Sequence, residues 1–144
     1  MAAASVGGIG ASSKFQSIFL YENLQMQNNV ISAAAFNNVE RFIFFSSSCM
    51  YPKEWKRPFI EEDIFTGKFE ETCDGYALAK SAGTMLCNKF NEQNGLNAVT
   101  VVPCNLFGPG DDFDLKTSHV LSALVRKIYE AKLNDSKTVS MWGT

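Results

Sequence analysis

The residues of this chain best suited to chemistry are a phenol and an ammonium four positions apart, in Tyr76-Ala-Leu-Ala-Lys80. On a helix, side chains at i and i+4 share a face. A lysine cation placed there can lower the pKa of a tyrosine hydroxyl by stabilising the phenolate, and such a hydroxyl serves as acid or base near neutral pH. Taken alone, the pattern also fits an ordinary helix surface. Upstream, the apolar run 41–46 (RFIFFS) leads straight into Ser47-Ser48-Cys49-Met50-Tyr51-Pro52. Hydroxyls at the C-terminal end of a parallel strand sit where α/β sheets bind ligands. A serine there can hydrogen-bond a keto or hydroxyl oxygen and align it with a tyrosine. A Ser-rich strand-to-loop turn has the same composition.

The elements that must hold these groups follow from periodicity. Residues 15–36 contain no Gly or Pro and place apolar side chains at Ile18, Phe19, Met26, Val30 and Ala33–Ala34, the spacing of an amphipathic helix. Run 41–46 reads as a strand buried on both faces. Residues 52–74, with Pro52, Pro58, Gly67 and many carboxylates, read as a surface loop. The pattern turns helical again over 75–94, with Gly95 as the stop. A second buried strand spans 97–102 and ends at Pro103, a Gly/Pro/Asp loop covers 109–114, a third helix 118–133, and a last strand 138–142. Strands alternating with helices of this length predict parallel βαβ units, hence an α/β sheet covered on both faces.

At 144 residues the chain has the length of one domain, able to bury about 68–70% of its unfolded surface. With 46% hydrophobic and 19% charged residues it has a globular composition. A formal net charge of −2 gives no basic patch for nucleic acid. No apolar run reaches the ~18 residues of a membrane-spanning helix, and the first residues lack a basic flank before an apolar stretch. The four cysteines, Cys49, Cys73, Cys87 and Cys104, form no C-x-x-C pair, and His119 is the sole histidine. A zinc site is therefore not expected, and reduced thiols in a cytoplasmic protein are the expectation.

The order of motifs resembles the extended short-chain dehydrogenases acting on nucleotide sugars, and within them the GDP-L-fucose synthases. The resemblance spans the whole chain. It rests on Val6-Gly7-Gly8-Ile9, the Ser47–Pro52 stretch, Tyr76-Ala-Leu-Ala-Lys80, Pro103-Cys104-Asn105-Leu106-Phe107-Gly108-Pro109, Asp112-Phe113, Ser118-His119-Val120 and Trp142-Gly143. The pairing of Ser-x-Cys with Ser-His-Val is its most specific part.

The resemblance implies a partial Rossmann-type, doubly wound parallel sheet with NADP(H) as cofactor, and the start of the substrate-binding region near 117–144. Its substrate would be GDP-4-keto-6-deoxy-D-mannose, epimerised at C3 and C5 and reduced at C4 by a homodimer of the full-length enzyme. Ser47 and Tyr76 would hold the C4 oxygen, with Tyr76 as proton donor. Lys80 would contact the nicotinamide ribose, and Cys49 and His119 would be the base and acid of epimerisation. Cysteine and histidine both titrate near neutral pH, as that task requires. Read without the family, Cys49 is a small buried residue and His119 a polar helix-start residue. Phe45, Ser46, Ser47, Ser48, Pro103, Cys104, Asn105, Leu106 and His119 would line the cofactor. Trp142 would lie near the guanine nucleotide, and Lys127 stands where the family has a substrate-contacting arginine, keeping the charge without the bidentate fork.

The family's opening Gly-x-x-Gly-x-x-Gly turn, which holds the cofactor pyrophosphate, has no counterpart here. The expectation is a sheet missing its first three βα units, with a long strand edge and an apolar face uncovered. Two other readings stand beside the enzyme: a truncated, non-catalytic protein unable to hold NADP, and a related nucleotide-sugar epimerase or dehydratase.

Overall fold

The computed structural model describes residues 1–54 and 57–141. Its helices are α1 (Ile9–Lys14), α2 (Gln16–Phe36), α3 (Asp74–Asn94) and α4 (Val120–Leu133), and its strands are β1 (Phe42–Phe45) and β2 (Ala98–Val101). Short 3-10 turns occupy Ser48–Met50 and Glu61–Asp63. The strands run parallel, in register from Phe42 opposite Ala98 to Phe45 opposite Val101, with α3 in the connection between them. No helix among the described residues is long and apolar enough to cross a membrane.

Helix α3 forms where its sequence says it should. Asp74 sits in the first turn, favourable at the positive end of the helix dipole. Gly95 closes the helix with φ +67°, a left-handed conformation that glycine adopts without steric cost. The buried face of α3 is made of small residues, including Ala77, Ala79, Ser81, Gly83 and Thr84. They let α2 and the sheet come close: a Cβ on Gly83 would stand 2.5 Å from Phe44 Cζ and 2.8 Å from Gln27 Oε1.

The core joins Ile31, Ala34 and Ala35 of α2, Phe42 and Phe44 of β1, Cys87 of α3 and Leu96. Phe44 is fully buried, worth about 1.5–3 kcal/mol for a side chain of its kind. The α2 face that meets α3 differs from the apolar periodicity. Phe19, Asn23, Gln27, Ile31, Ala34 and Ala35 are inside, while Ile18 and Val30 are exposed. Asn23 and Gln27 each tie their amide nitrogen to backbone: Asn23 Nδ2 donates to Ser5 O (2.7 Å) and Phe19 O (2.6 Å), and Gln27 Nε2 to Ala79 O (2.6 Å), while Gln27 Oε1 has no partner among the described residues. A buried amide is tolerated when it is hydrogen-bonded.

Two expectations are corrected. The sheet is covered on one face only: Ile43 (50% exposed), Phe45, Val99 (57%) and Val101 point away from the core, because no described helix packs over them. Residues 138–141 form no strand; among the described residues the sheet consists of β1 and β2, and 138–141 find no ladder partner in it. Helix α1, six residues long, carries no clear sequence signal, because Gly8 and Gly10 at its start are weak helix formers.

Candidate active site

The end of β1 is tied to α3 before any reactive group is reached. Ser46 N donates to Val101 O at 2.9 Å, carrying the ladder one residue past the strand. Its hydroxyl, buried, lies 2.8 Å from Met50 Sδ and accepts from Thr84 Oγ1 at 3.1 Å. Lys80 Nζ donates to Phe45 O at 2.8 Å, and Lys80 is only 3% exposed. Met50, fully buried, pins the 3-10 turn, so Ser47 and Cys49 on that turn are presented to the first turns of α3.

Ser47 opens the turn with extended backbone, and its hydroxyl accepts from the Cys49 amide at 3.3 Å. Four groups act on the half-buried Cys49 thiol. The Cys73 thiol, hydrogen-bonded to it, has the largest effect and draws its pKa down to about 6 against the opposing cost of burial. The Ser47 hydroxyl, the local backbone amide and the field of His119 act in the same direction. Cys73 moves the other way, held well above the usual thiol range by its bond to Cys49, by burial, and by Glu70 and Asp74 nearby.

Tyr76 is pushed up to about 12, first by burial and then by the negative charge on Cys49, with the Ser47 hydroxyl opposing. This differs from a tyrosine whose pKa its lysine lowers. Lys80 has its ammonium 5.7 Å from the Tyr76 ring centroid and 5.0 Å from that of Phe44, and bonds the Phe45 carbonyl. Burial lowers the Lys80 pKa. A phenol so placed stays protonated at neutral pH.

His119 reaches the group from another direction. It is the half-buried residue before α4, at the end of a loop held by Gly8 N donating to Thr117 O at 3.0 Å. A Cβ on Gly8 would meet Ser118 O at 2.6 Å, so only glycine permits this approach of residues 6–9 to the Ser-His-Val segment. Asp112 Oδ2 accepts from Thr117 Oγ1 at 2.6 Å and steadies the same loop.

Of the residues read from sequence, Ser47, Cys49, Tyr76 and His119 are thus brought together, with Lys80 beside them. Phe45 lies on the open sheet face and Ser48 on the turn. Beyond β2, Pro103 is half-buried, and Cys104, Asn105 and Leu106 (71% exposed) line an open loop. Lys127 is not in the cluster; its Nζ donates to Ser140 O at 2.9 Å. Trp142 lies outside the described residues. Cys73 had no role in the sequence reading. The signal for it was present, a thiol three residues ahead of Tyr76 and so on the same side of a helix start.

The sequence profile of the NAD dependent epimerase/dehydratase family matches residues 1–144, and the chain belongs to that family. It is 46% identical to a GDP-L-fucose synthase of Sinorhizobium fredii over 144 residues, all of this chain and 46% of that protein. The chain therefore spans just under half the length of this curated relative. A GDP-L-fucose synthetase from Naegleria fowleri, solved bound to NADP, superposes with a TM-score of 0.83 at 32% identity, over 99% of this chain and 47% of that one. A GDP-6-OMe-4-keto-L-xylo-heptose reductase from C. jejuni superposes with a TM-score of 0.86 at 39% identity, over 95% and 39%.

Proposed function

From membership in the NAD dependent epimerase/dehydratase family, we propose that this chain carries the catalytic groups of an NADPH-dependent GDP-L-fucose synthase. The reaction would be 3,5-epimerisation and 4-reduction of GDP-4-keto-6-deoxy-D-mannose. The observation that supports it most is the placing of Ser47 and Cys49 on the turn that ends a parallel strand, tied by Lys80 to the helix that carries Tyr76. The C4 ketone acidifies the protons on C3 and C5, so a thiolate at Cys49 suffices to remove one, and His119 returns a proton. Ser47 and Tyr76 hold the C4 oxygen, and Tyr76, protonated throughout the neutral range, delivers a proton to it.

The donor set suits a nicotinamide nucleotide. A buried ammonium at Lys80 and the phenol of Tyr76 can meet ribose hydroxyls, and the exposed residues 103–106 border the same strand ends. When bound, that cofactor supplies the hydride for the reduction. Phe45, Ser46, Ser47, Ser48, Lys80, Pro103, Cys104, Asn105, Leu106 and His119 would hold it, and Lys127 and Trp142 would meet the nucleotide sugar. The working form in this reading is a cytoplasmic homodimer pairing α2 and α3, whose exposed Ile18, Tyr21, Val30 and Met85 offer apolar surface. Sedimentation as a monomer at micromolar concentration would count against it.

The test of the chemistry is solvent deuterium incorporation at C3 and C5, followed alongside NADPH oxidation in the protein carrying this chain. Cys49→Ser should slow exchange by about 10²–10⁴-fold, the usual contribution of a general base. Exchange at the parent rate in that variant would place the base elsewhere. Reduction of a 4-keto GDP-sugar with no exchange in the parent protein would favour a reductase of the heptose type.

A further inference from the structure

We propose that Thr84 is a positioning residue for Ser47 and Tyr76: its hydroxyl, buried between the end of β1 and α3, fixes how far apart the two stand. This rests on the assignment of Ser47 and Tyr76 as the groups that hold the C4 oxygen, and it adds a residue assigned no contact with a ligand.

Tyr76, Lys80 and Thr84 follow one another at intervals of four along α3, so they line one face of the helix. That face is fastened to the end of β1 at two successive residues. Lys80 Nζ donates to Phe45 O at 2.8 Å. One turn further on, Thr84 Oγ1 donates to Ser46 Oγ at 3.1 Å. The next residue of the chain is Ser47, which opens the 3-10 turn, and Tyr76 stands one turn before Lys80 on α3. The two fastenings therefore lie just behind the two groups that must share one oxygen.

A helical threonine often gives its hydroxyl to the carbonyl four residues back, and Thr84 Oγ1 lies 3.0 Å from Lys80 O. Here the same hydroxyl also reaches across to the strand. Ser46 Oγ in turn stands 2.8 Å from Met50 Sδ and 3.4 Å from Lys80 O. Thr84, Ser46 and Met50 are all buried. Buried polar groups that satisfy one another hold distances and directions and favour one arrangement. A valine of similar shape at position 84 would keep the contact area and lose that direction. Ser46 would retain Met50 Sδ as its partner, so the helix is unfastened from the strand at this point with no donor stranded.

The test compares Thr84→Val with the parent in the protein carrying this chain. NADPH oxidation with the 4-keto GDP-sugar should slow about 10-fold, part of the roughly 10²-fold that a 1 Å misplacement can cost. Thr84→Ser, which keeps the hydroxyl, should recover most of the rate. In a Ser47→Ala background the same Thr84→Val change should cost less than about 2-fold, since coupled residues are not additive. A full 10-fold loss there, or no loss in the parent background, overturns the proposal. Amide hydrogen exchange reads the same device without substrate or nicotinamide. The amides of Ser46 and Met50, bonded to Val101 O at 2.9 Å and Ser47 O at 3.2 Å, should exchange faster in Thr84→Val, while those of Ile31 and Cys87 in the core keep their rates. Uniform acceleration, or none, overturns the proposal. Should Thr84→Val not fold, Ser46→Ala cuts the same bond from the strand and must give the same local acceleration. Local acceleration in a protein that reduces no 4-keto sugar keeps the role of Thr84 in fixing the strand end and discards the synthase reading; unchanged amides in an active enzyme do the reverse.

Discussion

Around the end of β1, Ser46, Met50, Lys80 and Thr84 are buried and hydrogen-bonded to one another across two elements. Between residues 103 and 119, most side chains are exposed, and the loop is held by single contacts such as Gly8 N to Thr117 O and Asp112 to Thr117. Ser47, Cys49 and Tyr76 stand on the first region, His119 on the second. Under the proposed function, a group that holds the C4 oxygen must keep its place within a fraction of an ångström, since general acid–base catalysis depends on geometry first. The proton-returning group would have to tolerate a sugar whose ring substituents change position. In that reading the two regions would divide these demands between a well-packed strand end and a lightly tethered helix start.

The comparison breaks most visibly at Tyr76. Tyr76→Phe removes the proton donor from the rigid region and should lower the reduction rate by about 10²–10⁴-fold while leaving deuterium exchange close to the parent rate. The pH profiles should separate in the same sense. Protonation removes the Cys49 base, so exchange falls as pH drops through about 6. Tyr76, at about 12, stays protonated far into the alkaline range, so its proton donation does not set an alkaline limb near neutrality. NADPH oxidation and exchange, followed together across pH, would show it.

A smaller effect is expected from Gly83→Val. The added side chain has no room against the buried Phe44 ring and Gln27, and overpacking of this kind costs about 1–3 kcal/mol. Denaturant unfolding should register that loss, with reduction and exchange falling together because the whole strand end shifts. Gly8→Ala crowds the Ser118 and Thr117 carbonyls in the loosely held region. The loop must shift to relieve that contact, which should slow exchange several-fold and leave NADPH oxidation nearly untouched. Equal loss of both activities in that variant would erase the distinction between the regions.

Much of this was legible beforehand. The 15–36, 75–94 and 118–133 helices and both described strands follow from period and from Gly95, and the Tyr-x-x-x-Lys and Ser-Ser-Cys stretches mark the candidate site. What escaped depends on tertiary partners. Asn23 and Gln27 are buried because backbone carbonyls of Ser5, Phe19 and Ala79 happen to face them, which no periodicity reveals. Residues 138–141 have strand-like composition but no ladder beside them. Cys73 acquires meaning only when α3 is folded against the 3-10 turn, since Cys49 lies 24 residues away in sequence.

Lys80 carries one more consequence. An ammonium has three N–H donors; one is committed to the Phe45 carbonyl, and the nitrogen lies 5.0 Å and 5.7 Å from the ring centroids of Phe44 and Tyr76. That leaves at most two donors for visiting oxygens as long as the bond to the strand is kept. A ligand demanding a third would have to unfasten the end of β1 to obtain it, so the valence of a single nitrogen couples what the cleft admits to how firmly the sheet is closed.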